Sequence, residues 1–178
     1  MKITDLSLEG PKLLYPDIFR DERGFFRELY RSSLYQQAGI TCAFVQDNHS
    51  FSKKHTVRGM HFQQNPGQAK LVSVMEGVIF DVIVDIRLES PTLGQWEGVY
   101  LSGDRGEQLW IPIGFAHGFC VVSDTAHVVY KVSSVYNAAE EKTFCFNDPD
   151  LQIQWPVVEP ILSDKDRNGL PFKAVLGL

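Results

Sequence analysis

Six residues or groups in this chain make an inventory for proton transfer. His61 and His117 supply imidazoles, the side-chain type suited to act as a base, Tyr130 a phenol able to return a proton, and Lys70 and Arg58 cations for a developing oxyanion. Several carboxylates accompany them, and all fall on or beside stretches that read as strands. Abstraction of a proton next to a carbonyl requires this combination. Other chemistries find less support. Neither a GxGxxG nor a Walker segment occurs, so no nucleotide-binding loop or electron carrier is implied. Cys42, Cys120 and Cys145 are odd in number and form no CxxC pair, so they read as buried, reduced thiols.

The elements that must position these groups are mostly strands. From Val78 to Ile86, Val78, Phe80, Val82, Val84 and Ile86 alternate with Ile79, Asp81, Ile83 and Asp85, a period of two that puts two carboxylates on one face. A face of that composition is not plain core. Further strand-like runs cover 44–46, 70–75, 98–101, 108–111, 119–122, 127–132 and 143–146, punctuated by Glu76-Gly77, Ser90-Pro91 and Ser102-Gly103. Such spacing predicts a sandwich or barrel. Two short helices are expected, one opened by a capping box of Ser33 and Gln36 and ended at Gly39, the other following Ser163 and stopped by Asn168-Gly169. The segment after Pro156 reads as a looser tail.

At 178 residues, with 44% hydrophobic and 22% charged, the chain reads as one soluble domain spanning 1–178. Net charge is −5 and no run of Lys and Arg could track a phosphate backbone, so nucleic acid is not an expected partner. The first ten residues lack the apolar segment of a signal peptide and no apolar stretch approaches the roughly 20 residues that span a bilayer, so no membrane partner and a cytoplasmic location are expected.

The segment from Gly106 through Pro112 and Gly114 to His117 resembles the second motif of the cupin superfamily, with Val121 where that motif usually has Asn. The resemblance implies a mainly all-β fold, a cupin double-stranded β-helix or jelly-roll barrel with short peripheral helices. In the corresponding first motif, Gly59-Met60-His61-Phe62-Gln63, a Gln stands where metal-binding cupins have a second His. His61 and His117 alone are too few ligands for a tight divalent site unless Asp81 or Asp85 swings in, so neither metal nor cofactor is expected.

Six ordered segments bring the resemblance closer: 19–30 (FRDERGFFRELY), 44–52 (FVQDNHSFS), 57–63 (VRGMHFQ), 70–96, 109–119 (LWIPIGFAHGF) and 162–166 (LSDKD). Across nearly its whole length the chain resembles the dTDP-4-dehydrorhamnose 3,5-epimerases, cofactor-independent cupins that invert C3 and C5 of a dTDP-4-keto-6-deoxy sugar. The resemblance implies that His61 is the general base, oriented by Asp166, and that Tyr130 is the proton donor on the opposite sugar face. It implies that Lys70 and His117 contact the sugar near its 4-keto oxygen. Asp81 is a candidate partner that keeps Lys70 charged, a surface ion pair being the alternative. Arg23, Glu28, Gln46, Asp47, Asn48 and Arg58 match contacts to diphosphate and deoxyribose, Glu141 and Lys165 match further ligand-contacting positions, and Tyr136 matches the aromatic that stacks on thymine.

Family members are dimers in which the segment carrying Phe19, Arg23 and Glu28 enters the neighbouring subunit's site, so a homodimer is expected. Thr56-Val57-Arg58, Met60 and Phe146 depart from the residues usual in the family by packing volume rather than chemistry. Alternatives are an epimerase that inverts only C3 or C5 of a related sugar, a non-catalytic sugar-nucleotide-binding cupin, and a metal-dependent cupin enzyme.

Overall fold

A computed structural model describes residues 1–178. In chain order the strands are β1 Lys2–Asp5, β2 Lys12–Tyr15, β3 Ile18–Asp21, β4 Gly24–Arg27, β5 Gln46–Lys53, β6 Val57–Gln63, β7 Lys70–Glu76, β8 Val78–Asp85, β9 Trp96–Ser102, β10 Gln108–Ile111, β11 Phe115–Val121, β12 Thr125–Val132 and β13 Glu141–Thr143. The helices are α1 Ser32–Gln37, α2 Asp164–Arg167 and α3 Phe172–Leu176. Six strands form one antiparallel sheet in the order β1-β2-β10-β7-β12-β5, five form a second in the order β13-β6-β11-β8-β9, and β3-β4 make a separate hairpin.

The two sheets share a core. Val72 and Val74 of β7, Leu109 and Ile111 of β10, and Ala126 and Val128 of β12 meet Ile79, Ile83, Phe115, Phe119 and Val121 of the five-stranded sheet. That sheet also buries its outer face. Phe80, Val82 and Val84 pack with Phe144, Leu151, Ile153 and Phe172 of the C-terminal segment. With both faces of β8 covered, its sequence is apolar nearly throughout, and the segment after Pro156 is an integral cover rather than a loose tail. On the outer face of the larger sheet, Leu14, Leu71 and Trp110 are covered by Tyr35 and Ile40.

Three local expectations need correction. The capping box does not form: Arg31 is the N-cap residue of α1, without a side-chain cap bond, and Ser33 lies inside the helix. Burial of Tyr35, whose hydroxyl donates to Leu29 C=O at 2.9 Å and also meets Gln108, holds this helix instead. The strand expected at 44–46 begins where that run ends. β5 is a sheet edge with Asp47, His49, Phe51 and Lys53 on the exposed face and Gln46, Asn48, Ser50 and Ser52 on the inner one, so it carries no apolar alternation. All three thiols are unpaired, but only Cys120 is fully buried.

Candidate active site

His61 and His117 sit directly opposite each other on β6 and β11, so their side chains share the inner face of the five-stranded sheet. Glycine permits that approach. Gly59 has φ of +135°, and a Cβ there would stand 2.6 Å from the Gly118 Cα. His61 Nε2 lies 2.5 Å from Asp166 Oδ1. Asp166 is 4% exposed, and α2 delivers it: Ser163 caps the helix by accepting the Asp166 N–H at 3.1 Å and donates its hydroxyl to Asp166 Oδ2 at 2.8 Å. Burial raises the Asp166 carboxyl, but the His61 and Ser163 hydrogen bonds outweigh it and hold the group below its ordinary value. An ionised carboxylate accepts only, so His61 donates its Nε2 proton to Asp166. The sequence marks Ser163 only as the start of a helix, and its S-x-x-D spacing to Asp166 carries the signal for the second role.

A second His–Asp pair lies beside the first. His117 Nε2 donates to Asp81 Oδ2 at 3.0 Å, both residues being buried. Burial lowers His117 and raises Asp81, and their mutual contact opposes both shifts. Burial thus disfavours the charged imidazole of His117, and Asp81 favours it. Lys70, 8% exposed on β7 of the opposite sheet, is pushed down to about 8 by burial, with Asp81 and Glu141 pulling the other way. As expected, Asp81 favours the charged form of Lys70, but through space rather than as a direct ion pair. Asp81 is wholly buried rather than on the surface, and its direct partner is His117.

Tyr130, on β12 of the six-stranded sheet, packs against the shared core, and Lys70 Nζ lies 6.0 Å from its ring centroid. Burial raises its phenol, Arg58 lowers it and Glu141 raises it further. Arg58 reaches from β6 to β5, its Nε donating to Ser52 Oγ at 3.0 Å, and Gln46 Nε2 donates to Asn48 Oδ1 at 2.7 Å on the same inner edge. The Tyr136 hydroxyl donates to Glu141 at 2.9 Å, and Glu141 pairs with Lys165 at 2.6 Å. Burial raises Glu141, but these two partners outweigh it and hold it low.

Four expected residues stand apart from this group. Phe19, Arg23 and Glu28 belong to the β3-β4 hairpin and its exit. Arg23 is turned onto Asp21 at 2.5 Å, and Phe19 and Glu28 line a cleft with Met1 and Tyr35. Asp47 is on the outer face of β5, bound to Lys131 at 2.9 Å. Asp85 is also elsewhere, locked by Arg87, Ser90 and Thr92, whose hydrogen bonds overcome its burial and hold it well below the carboxylate range. It is not free to join His61 and His117. Each of those rings commits Nε2 to a carboxylate, and no three His, Cys, Asp or Glu side chains gather into a metal-holding group.

Two antiparallel sheets around an interior that carries polar groups on both walls, with a histidine from each cupin motif, define the chain as a cupin. A family model described as dTDP-4-dehydrorhamnose 3,5-epimerase matches residues 5–174. The dTDP-4-dehydrorhamnose 3,5-epimerase of Shigella flexneri is 47% identical over 174 residues, 97% of this chain and 96% of the relative. The dTDP-6-deoxy-D-glucose-3,5-epimerase of Legionella pneumophila, solved in complex with dTDP-4-keto-L-rhamnose, superposes with a TM-score of 0.94 at 46% identity, covering 99% of this chain and 93% of its own. A 3'-monoepimerase of Streptomyces bikiniensis, solved with dTDP-quinovose, has a TM-score of 0.90 at 37% identity, covering 97% and 90%. The chain belongs to the dTDP-4-dehydrorhamnose 3,5-epimerase family and is an isomerase.

Proposed function

We propose that the chain inverts C3 and C5 of dTDP-4-dehydro-6-deoxy-D-glucose to give dTDP-4-dehydro-L-rhamnose, with His61 as base and Tyr130 as acid. His61 Nδ1 takes the proton from the carbon next to the 4-keto group, and the C–H electron pair moves into an enolate whose oxygen faces the Lys70 ammonium. The Tyr130 phenol then delivers a proton to the opposite face of that carbon, collapsing the enolate to the inverted ketone. Solvent returns a proton to the phenolate and removes one from His61 before the second centre reacts. With its Nε2–H hydrogen-bonded to Asp81, His117 has only Nδ1 to offer a sugar hydroxyl, which leaves enolate stabilisation mainly to Lys70. No step calls on a metal or cofactor.

The observation that carries this reading is the placement of a carboxylate-oriented imidazole on one sheet and a partly buried phenol on the other, since inversion needs groups on two faces. Gln46, Asn48, Arg58, Tyr136, Glu141 and Lys165 form the nucleotide end of the site. Phe19, Arg23 and Glu28 serve a partner subunit in a homodimer. In support, their hairpin is separate from both sheets, and Phe19 and Phe26 are 64% and 69% exposed in the single chain. No helix is long and apolar enough to cross a membrane, and three unpaired thiols and a nucleotide-linked substrate fit the cytoplasm.

Proton NMR of dTDP-4-keto-6-deoxyglucose in deuterated water, with wild type and His61→Ala, tests the reading. Deuterium should enter C3 and C5 with wild type and neither carbon with the variant. Exchange confined to one carbon after long incubation would make the enzyme a single-centre epimerase, and no exchange would leave a binding protein.

A further inference from the structure

Gln63 occupies the position at which metal-binding cupins carry their second histidine, and its side chain is fully engaged. It is 7% exposed, two residues beyond His61 on the same face of β6. Nε2 donates to Ser134 Oγ at 3.0 Å and to the Val135 C=O at 3.3 Å, while Oε1 accepts the Asn137 N–H at 3.0 Å. These bonds bracket Tyr136. Its own N–H is taken by Gln46 Oε1 at 3.0 Å. Two amide side chains, one from each sheet, thus pin the backbone of three consecutive residues in a segment that has no strand or helix of its own. A side-chain amide alone combines a donor for the Val135 carbonyl with an acceptor for the Asn137 N–H at that length, which neither histidine nor an apolar residue reproduces.

Beyond the pinned backbone, the Tyr136 hydroxyl leads through Glu141 to Lys165, the neighbour of Asp166 on α2. The segment is therefore tied at one end to the strand of His61 and at the other to the helix that orients His61. We propose that Gln63 is a positioning residue, which holds the Tyr136 ring at a set distance from His61 so that a nucleobase and a reacting sugar of one ligand are received together. This rests on the reading of Tyr136 as the nucleobase platform. Tyr136 is 57% exposed, so without the amide bonds its ring loses its fixed orientation and ligand binding must supply the ordering.

The test combines calorimetric titration with dTDP and steady-state kinetics on the dTDP-4-keto sugar, for wild type, Gln63→Leu, Tyr136→Ala and the double variant. Gln63→Leu should weaken dTDP binding and raise KM by about 10-fold while kcat stays within about 3-fold of wild type. In the Tyr136→Ala background, Gln63→Leu should change dTDP affinity no further, because the residue acts through Tyr136. Unchanged dTDP affinity in folded Gln63→Leu, a loss of equal size in both backgrounds, or a fall in kcat at constant KM would each overturn the proposal and leave the epimerase reading standing. A wild type that turns over the sugar but does not bind dTDP would overturn the platform reading and the proposal with it. If Gln63→Leu does not fold, Gln63→Glu, which keeps the acceptor for Asn137 and loses the donor to Val135, is judged by the same criteria.

Discussion

Replacing Lys70 by methionine separates the stability penalty of a buried cation from its use in the reaction. Burial pushes the Lys70 ammonium from 10.5 down to about 8, with Asp81 and Glu141 opposing. Between those values the unfolded chain holds the proton and the folded chain has released it, so stability rises with pH across that window. Near about pH 7 the folded state carries a penalty of about 3 kcal/mol, of which about 2 kcal/mol disappears by about pH 9.5. Methionine keeps the unbranched apolar stem and lacks the charge, and Asp81 retains its His117 donor. Urea unfolding should therefore find Lys70→Met more stable than wild type near neutrality, with the difference shrinking by about 2 kcal/mol toward about pH 9.5. Burial raises Tyr35, Tyr130 and Cys120, which lowers stability over the same alkaline range, but it does so in both proteins and drops out of the difference. In the same variant kcat/KM should fall by about 10²-fold or more, the loss of one oxyanion donor. A stability difference that is flat with pH would refute the burial argument, and undiminished turnover would refute the enolate role.

Tyr130→Phe should keep the melting temperature within a few degrees and lower kcat by about 10²- to 10⁴-fold; turnover near wild type would remove the phenol from the mechanism. Asp166→Asn should lower kcat over a similar range. Because the Asp166 carboxyl is held below 3.8 in the fold, its stabilisation is present above that pH and vanishes as pH falls through the folded value, so the variant's stability deficit should shrink on acidification. A deficit independent of pH in acid titrations of the melting temperature would contradict this. Gly59→Ala should destabilise the fold by about 3 kcal/mol, because its Cβ would press on the Gly118 backbone at a φ of +135°; an unchanged urea midpoint would show that β6 and β11 can move apart. Turnover measured after exhaustive chelation should equal that of untreated enzyme, and loss restored by a divalent ion would revive the metal-dependent alternative.

Much of the architecture is legible in local pattern. Alternation along Val78–Ile86 and turn pairs such as Glu76-Gly77 specify the strands of a sandwich or barrel, because period and turn chemistry are properties of neighbouring residues, while the cupin fold was implied by the resemblance of the Gly106 to His117 segment to a known motif. Helix α2 was legible for the same reason, since Ser163 and Asp166 sit one turn apart. Tertiary structure decided the partnerships. Asp81 carries the same alternating signal as Asp85, yet one meets His117 and the other Arg87, a difference set by position along β8, Asp81 in mid-strand between β11 and β9 and Asp85 at the strand's end. Most of polar β5 carries no strand signal, because an edge strand lining a polar interior has no apolar face to alternate. Asp166 meets His61 across a separation of 105 residues, and Gln63 reaches Val135 across 72. Contacts of that span depend on how the C-terminal segment and the 133–140 connection pack onto the five-stranded sheet, and no spacing along the chain records it.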